Sequence, residues 1–377
     1  MSCRSWSSLF LVAISSFVLV AASPSLIPSY PATVKIPSNH PLIDFHGRWD
    51  SSPGTWWAGS GFKLHADNLK SLTLNLGPHT TSPLTSVGVS VNYGPFVTVN
   101  VSEGRNAIPL VTDLESEASV VRVTTEGWQN NRMQLESLEL NPGAQLKPYT
   151  PSKVRLQVIG DSLSAGQYLE QGVLQAWPAL TAEALQAELN VNAQPGAALK
   201  DIPAWGNVHG VSFQFFRTED TGFYHTTDHN FTTPWNFARD QPSPTHLVIH
   251  IGANDASQNV TSADFEQTYL TFVSHLRELY PRQPIFVFTP WGWPASDGSI
   301  SQYYEGSYQK IVDERHACGD KNVFLVDTTG WVTWDDVFHD NTHPTEAGHA
   351  KVAGLFEAWL NNWGLHPQES WATPMQL

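Results

Sequence analysis

Cysteine is nearly absent from this chain: two in 377 residues. Cys3 lies in an N-terminal segment expected to be removed, which leaves Cys318 alone. No internal disulfide is then possible, so the fold must rest on burial of apolar surface. Cys318 itself reads as a small buried hydrophobe. Positive charge is also scarce: 20 Lys and Arg against 35 Asp and Glu give a net charge of −15. Such a surface repels phosphate backbones and excludes nucleic acid as a natural partner. Long apolar runs are missing beyond residue 20. The one run, Leu9 to Val20, follows Arg4 and precedes Val20-Ala21-Ala22. It is short for a membrane span and reads as a secretory signal over residues 1–22, with no membrane partner. Internal repeats and low-complexity tracts are lacking too. What is abundant is tryptophan, 15 residues. Three sequons, at Asn100, Asn230 and Asn259, suit a secreted glycoprotein.

The chain divides by rhythm. Residues 23–42, rich in Pro and Ser, read as an extended leader. From 43 to 147 short runs such as "FKLHA", "LTLNLG", "VGVSVNYG" and "SVVRVTTEG" alternate apolar and polar residues between turn signals. That pattern predicts an all-β, jelly-roll-like sandwich domain. "NPGAQLKPYTPSK" reads as a linker. From 154 to 365 strand-like runs, "VRLQVI", "HLVIHIG", "IFVFT" and "VFLVD", alternate with helical ones. One helix is opened by Pro178 and carried through Leu180, Ala184 and Leu189. Another is capped by Ser262, with Phe265, Tyr269, Phe272 and Leu276 on its apolar face. This is an α/β pattern with a parallel sheet covered on both faces.

Polar residues gather just after these strands. Ser162 follows the first, in "GDSLSAG"; Asn254 follows "HLVIHIG", in "GANDAS"; His343 lies in "HDNTHPTEAGH". In a parallel sheet all three reach one edge. A serine hydroxyl needs a base, histidine is the usual one, and a carboxylate commonly orients it. Asp340 stands three residues before His343; Asp335 and Asp336 are less well placed. An oxyanion would find donors in the Ser162 N–H, the Asn254 amide and the N–H of Gly196 in "AQPGAALKD". No Gly-x-Ser-x-Gly surrounds Ser162, so the strained elbow of α/β-hydrolases is excluded. Asp161 and Asp255 read as turn-stabilising. His339, His343 and His349 are broken up by Pro344 and lack zinc spacing, so no metal and no cofactor are expected. Trp235, Trp291 and Trp293 fall in loops near strand ends, and Trp56 and Trp57 lie in the first domain. The loop tryptophans could form an aromatic wall that stacks on sugar rings, and Trp56 and Trp57 could do the same; Trp235 and Trp291 are the leading candidates.

"GDSLSAG", Gly196, "GANDAS" and "DNTHP" resemble, in order and spacing, the four blocks of SGNH or GDSL hydrolases. The resemblance implies a three-layer, flavodoxin-like domain with Ser162 as nucleophile, Gly196 and Asn254 as oxyanion donors and His343 as base. "FHGRWD", "WAGSGFKLHA" and the sandwich-like run before "GDS" are similar to carbohydrate esterase family 2, which deacetylates plant polysaccharides. Some members of that family orient the histidine by a backbone carbonyl. Here Asp340 is available, and a full Ser162-His343-Asp340 triad is expected. The implied function is a secreted acetyl xylan or glucomannan esterase acting as a monomer on acetylated polysaccharide or oligosaccharide, with a preference for the primary 6-hydroxyl. A GDSL lipase or phospholipase, or a carbohydrate-binding protein without activity, are the rival readings. No long amphipathic lid helix favours the first rival, and the intact Ser162, Asn254 and His343 oppose the second.

Overall fold

A computed structural model describes residues 33–110, 118–127, 131–218 and 233–373. The signal-like segment and the Asn230 sequon lie outside the described residues. Residues Thr33–Leu377 cluster as one compact unit.

Alternating sequence becomes strands because successive side chains of an extended chain face opposite sides. Two antiparallel sheets result. One runs Val34–Pro37, Met133–Leu140, Leu72–Leu76, Gly104–Ile108; the other runs Gln145–Lys147, Gly61–Asp67, Ala118–Thr125, Thr85–Val91, Val97–Val101. Their inner faces share one core, including Trp49, Phe62, Leu74, Val123 and Leu138. The sandwich begins earlier than expected. Val34–Pro37, in the stretch read as a leader, pairs with the final long strand through Val34↔Leu140 and Ile36↔Leu138. Its single buried residue, Ile36, gives too little alternation to betray it.

The second layer is a parallel sheet of β1 (Arg155–Gly160), β2 (Glu188–Ala193), β3 (His246–His250), β4 (Ile285–Phe288) and β5 (Val323–Val326), in spatial order 2-1-3-4-5. The central strands are continuously apolar because both faces are covered. Helices Ser262–Leu279 and Ser307–Ala317 cover Ile159, Ile249 and Val287. Helices Trp177–Leu185 and Glu346–Trp363 cover Val158, Val248 and Phe286. Two sequence readings shift. Leu189 belongs to β2, not to the helix opened by Pro178, which ends at Leu185; the polar Asn190 and Asn192 hid an edge strand. The Ser262 helix is capped by Thr261, whose hydroxyl accepts from Asp264 N–H. Phe265, Tyr269, Phe272 and Leu276 are buried as expected. Cys318 is exposed, not buried, because it caps the end of Ser307–Ala317 where the chain meets solvent. Among the described residues no helix is long and apolar enough to cross a membrane.

The sandwich packs on the parallel-sheet layer. Ala118–Thr125 is buried at every residue; Val121 and Val123 face the sandwich core, and Arg122 and Thr124 on the other face line a pocket against Trp177–Leu185. Arg122 pairs with Glu183, and Lys63 with Glu188. Gly47 N–H donates to Asn190 Oδ1 at 2.9 Å. Val173 N–H donates to Glu126 O at 3.1 Å. Beside that bond Gly172 has φ +51°, and a Cβ there would stand 2.3 Å from Glu126 O. Arg48, from "FHGRWD", is buried among Trp57, Phe215, Trp235 and Phe237 and donates to Arg217 O at 2.7 Å.

Gly172→Ala should therefore loosen this junction. It is expected to lower stability by at least about 1 kcal/mol, read as a lower urea midpoint with unchanged slope. An unchanged midpoint would show that the close approach is dispensable.

Candidate active site

In the 2-1-3-4-5 order the sheet reverses direction of winding between β1 and β3, and the crevice there is where ligands bind. Ser162 follows β1 and Asn254 follows β3. Asp161 caps the short helix Ser162–Ala165, its Oδ1 accepting from Leu163 N–H at 3.0 Å. As the first helical residue, Ser162 keeps an N–H with no partner inside the helix. His343 arrives from the other end of the chain. Its Nε2 stands 3.0 Å from Ser162 Oγ, across 181 residues of sequence.

The ring's other nitrogen decides the tautomer. His343 Nδ1 lies 3.1 Å from the Asn341 carbonyl oxygen. A carbonyl can only accept, so Nδ1 carries the proton and Nε2 is the acceptor for the serine hydroxyl. Asn341 holds the turn twice, since its Oδ1 also accepts from His343 N–H at 3.0 Å. The expected carboxylate partner is corrected here. Asp340 is exposed and accepts from Asn341 Nδ2 at 3.0 Å, not from the imidazole. The Asx turn of Asn341 points Asp340 to solvent and a peptide carbonyl at the ring. Asp335 is also exposed, and Asp336 pairs with Lys351 and closes a capping box with Thr333. Burial pulls the His343 pKa below its ordinary 6.5, opposed by the carbonyl contact.

Gly196 has φ +78°, and a Cβ on it would meet Trp205 Cβ at 2.7 Å, so only glycine fits. Among the described residues its N–H has no hydrogen-bond partner. Asn254 Nδ2 donates to Ala197 O at 3.0 Å and reaches Asp161 Oδ2 only at 3.5 Å. The second amide hydrogen is thus weakly held. Asp255 accepts from Leu199 and Lys200 N–H at 2.7 and 2.9 Å, which pins the loop after Gly196. Burial pushes the Asp161 and Asp255 carboxyls up, to about 7 and about 6. Both act on backbone, as read.

Ser162, Gly196, Asn254, Asn341 and His343 line one cleft of about 800 Å³. Of the expected aromatic wall, Trp293 lines the cleft and Trp235 and Trp291 do not. Trp235 is buried between the guanidiniums of Arg48 and Arg239, its Nε1 donating to Asp240. Trp291 is buried in the core against His250, and Trp56 and Trp57 are buried as well. The cleft is walled instead by Tyr168, Trp205, Trp293 and Tyr303. Tyr168 meets His343 edge-on at 5.0 Å, and Trp205 is 69% exposed with Nε1 on Ser257 Oγ. Tyr168 and Trp205 sit at positive φ, 74° and 47°, a strain that sequence patterns do not announce. Trp205 could have been noticed beside Gly206, in a turn. Of the other histidines, His339 stacks on Trp334 and His349 accepts from Trp177 N–H. Among the described residues no three His, Cys, Asp or Glu side chains form a metal-binding group.

Residues 158–351 match the GDSL-like Lipase/Acylhydrolase family. The chain belongs to this family. No curated protein sequence matches it. Solved structures extend the likeness across the sandwich. An acetyl xylan esterase from the rumen bacterium Butyrivibrio proteoclasticus superposes with TM-score 0.70 at 16% identity, covering 89% of this chain and 99% of that one. A family two carbohydrate esterase from Clostridium thermocellum, in complex with cellohexaose, gives 0.65 at 21%, covering 85% and 98%. A salicylyl-acyltransferase from a tetracycline biosynthetic pathway gives 0.64 at 16%, covering 88% and 98%. This GDSL-family protein thus has the two-layer fold of the family two carbohydrate esterases, a fold that also carries acyl transfer.

Activity needs the neutral imidazole, so it should be lost as pH falls through a His343 pKa lying below 6.5. A kcat/KM profile with its acidic limb above 6.5 would contradict this geometry. Asp340→Asn should leave kcat within about threefold of the parent, since a triad aspartate is worth orders of magnitude; a loss of that larger size would restore Asp340 as the orienting group.

Proposed function

We propose that the protein is a secreted serine esterase that removes acetyl groups from polysaccharide or oligosaccharide of the plant type. The observation that carries the reading is the 3.0 Å contact of Ser162 Oγ with a His343 whose Nδ1 faces a carbonyl, at the floor of a cleft walled by aromatic rings.

In this reading Ser162 Oγ attacks the acetyl carbonyl while its proton passes to His343 Nε2. The carbonyl oxygen becomes an anion and accepts from Ser162 N–H, Gly196 N–H and Asn254 Nδ2. The imidazolium, its Nδ1–H on the Asn341 carbonyl, returns the proton to the departing sugar oxygen, and the C–O bond to the sugar breaks. A water then gives His343 its proton and attacks the acetyl-serine. Acetate leaves, and Ser162 regains its hydrogen. Trp205 and Trp293 offer flat apolar faces to the C–H faces of sugar rings. Secretion is supported by the N-terminal run before Ala22 and by exposed sequons at Asn100 and Asn259. The net charge of −15 suits a soluble substrate better than an anionic membrane.

Ser162→Ala should fold and lose nearly all esterase activity, by roughly three or more orders of magnitude; a folded variant keeping a tenth of the parent rate would sink the assignment. Acetyl esters of xylan, glucomannan or simple hexoses should be cleaved far faster than octanoyl or longer esters at matched concentration. The reverse ranking would favour a lipase. Trp205→Ala should raise KM for acetylated oligosaccharide by roughly tenfold, equivalent to about 1.4 kcal/mol, with kcat little changed.

A further inference from the structure

The cleft does not end at Tyr168. That residue, 55% exposed, also lines a second groove of about 390 Å³ between the sandwich and the catalytic layer. Leu84, Ser86, Glu126 and Asn131 form its sandwich side, and Tyr168 and Glu170 the other. Glu126 is the informative group. Its side chain belongs to a residue only 3% exposed, yet among the described residues no cation pairs with it. Oε1 accepts from the Thr98 hydroxyl at 2.7 Å, and that hydroxyl in turn accepts from Gln171 Nε2 at 3.1 Å. Among the described residues Oε2 has no protein donor. It opens onto the groove, where it can accept from a ligand hydroxyl without giving up a protein partner. Burial and the facing Glu170 push its carboxyl up.

We propose that this groove is a distal subsite for a neutral glycan chain whose acetylated residue lies at Ser162. The chemistry is specific to that class. A carboxylate acceptor takes hydroxyl hydrogens, and an exposed Leu84 and Tyr168 ring supply apolar surface for the C–H faces of a sugar. Two facing carboxylates repel a uronate chain. The subsite rests on the reading of the catalytic cleft as a glycan esterase, and it makes that esterase a reader of chain length.

The test compares a small chromogenic acetyl ester with neutral acetylated oligosaccharides of increasing length. KM for the oligosaccharides should fall as the chain grows long enough to pass Tyr168. Glu126→Gln keeps the Thr98 contact but turns the groove-facing atom from acceptor to donor. It should raise KM for the long oligosaccharides by roughly tenfold and leave both the shortest ones and the small ester unchanged. Leu84→Ala, on the exposed rim, should do the same to a smaller extent without any risk to the fold. Length-independent KM, or variants that act equally on the small ester and the long chains, would overturn the subsite while leaving the esterase reading intact. Cleavage of the small ester with no acetate released from any acetylated glycan would overturn both. Tighter use of uronate-bearing chains than of neutral ones would overturn the assignment of ligand class.

Discussion

Five parallel strands in register are the constraint on which this site depends. β1 pairs β2 and β3 directly, through Gly160↔Ala193 and Gly160↔His250. Their carboxyl ends therefore finish side by side. Each strand end then releases the chain into a turn carrying one chemical group: Ser162 after β1, Gly196 after β2, Asn254 after β3. His343 is brought to the same edge by the segment before Glu346–Trp363, itself anchored on the sheet through Val352, Phe356 and Leu360. A slip of one residue would turn core side chains to the wrong face, so burial enforces the alignment that the chemistry uses.

The histidine is oriented by a peptide carbonyl, and this changes the electrostatics of the base. A carboxylate would stabilise the imidazolium strongly and hold its pKa up. A carbonyl offers a partial charge, so desolvation prevails and the ring's pKa is held below its ordinary value. The arrangement is stiff. Asn341 bonds both the backbone and the ring of the residue two positions on, leaving the ring no need for a distant partner. Asp161 and Asp255 serve in the same spirit, as buried carboxylates that tie down amides of the turns.

The sandwich is joined to this chemistry physically. Arg122 and Lys63 extend from sandwich strands to carboxylates of the catalytic layer, and Ala58 packs with Ala165, Val173, Val191 and Ala193 across the junction. Ala165 is three residues past Ser162. The sandwich thus backs the turn that presents the serine, and the start of Thr85–Val91 with the residues after Ala118–Thr125 lines a groove that shares Tyr168 with the cleft.

Much was legible in one dimension. Period-two alternation marked the main sandwich strands, apolar runs marked β1, β3, β4 and β5, and the residues after three strand ends stood out as small or polar. These signals are local: they follow from side-chain direction in a strand and from turn chemistry, and they were enough to nominate Ser162, Asn254 and His343, while Gly196, after the strand that went unseen, rested on the family resemblance. Tertiary structure decided what depends on the direction of single groups. Asp340 or the Asn341 carbonyl could each have faced His343, and three residues of spacing cannot choose, because an Asx turn reverses which group points inward. Trp235 and Trp291 lie as near to strand ends as Trp293 does, yet burial against Arg48 and His250 removes them from the cleft, and Trp205 takes a place there through a positive φ. An aromatic residue packs or presents itself according to neighbours far from it in sequence, and that information exists only once the chain has folded.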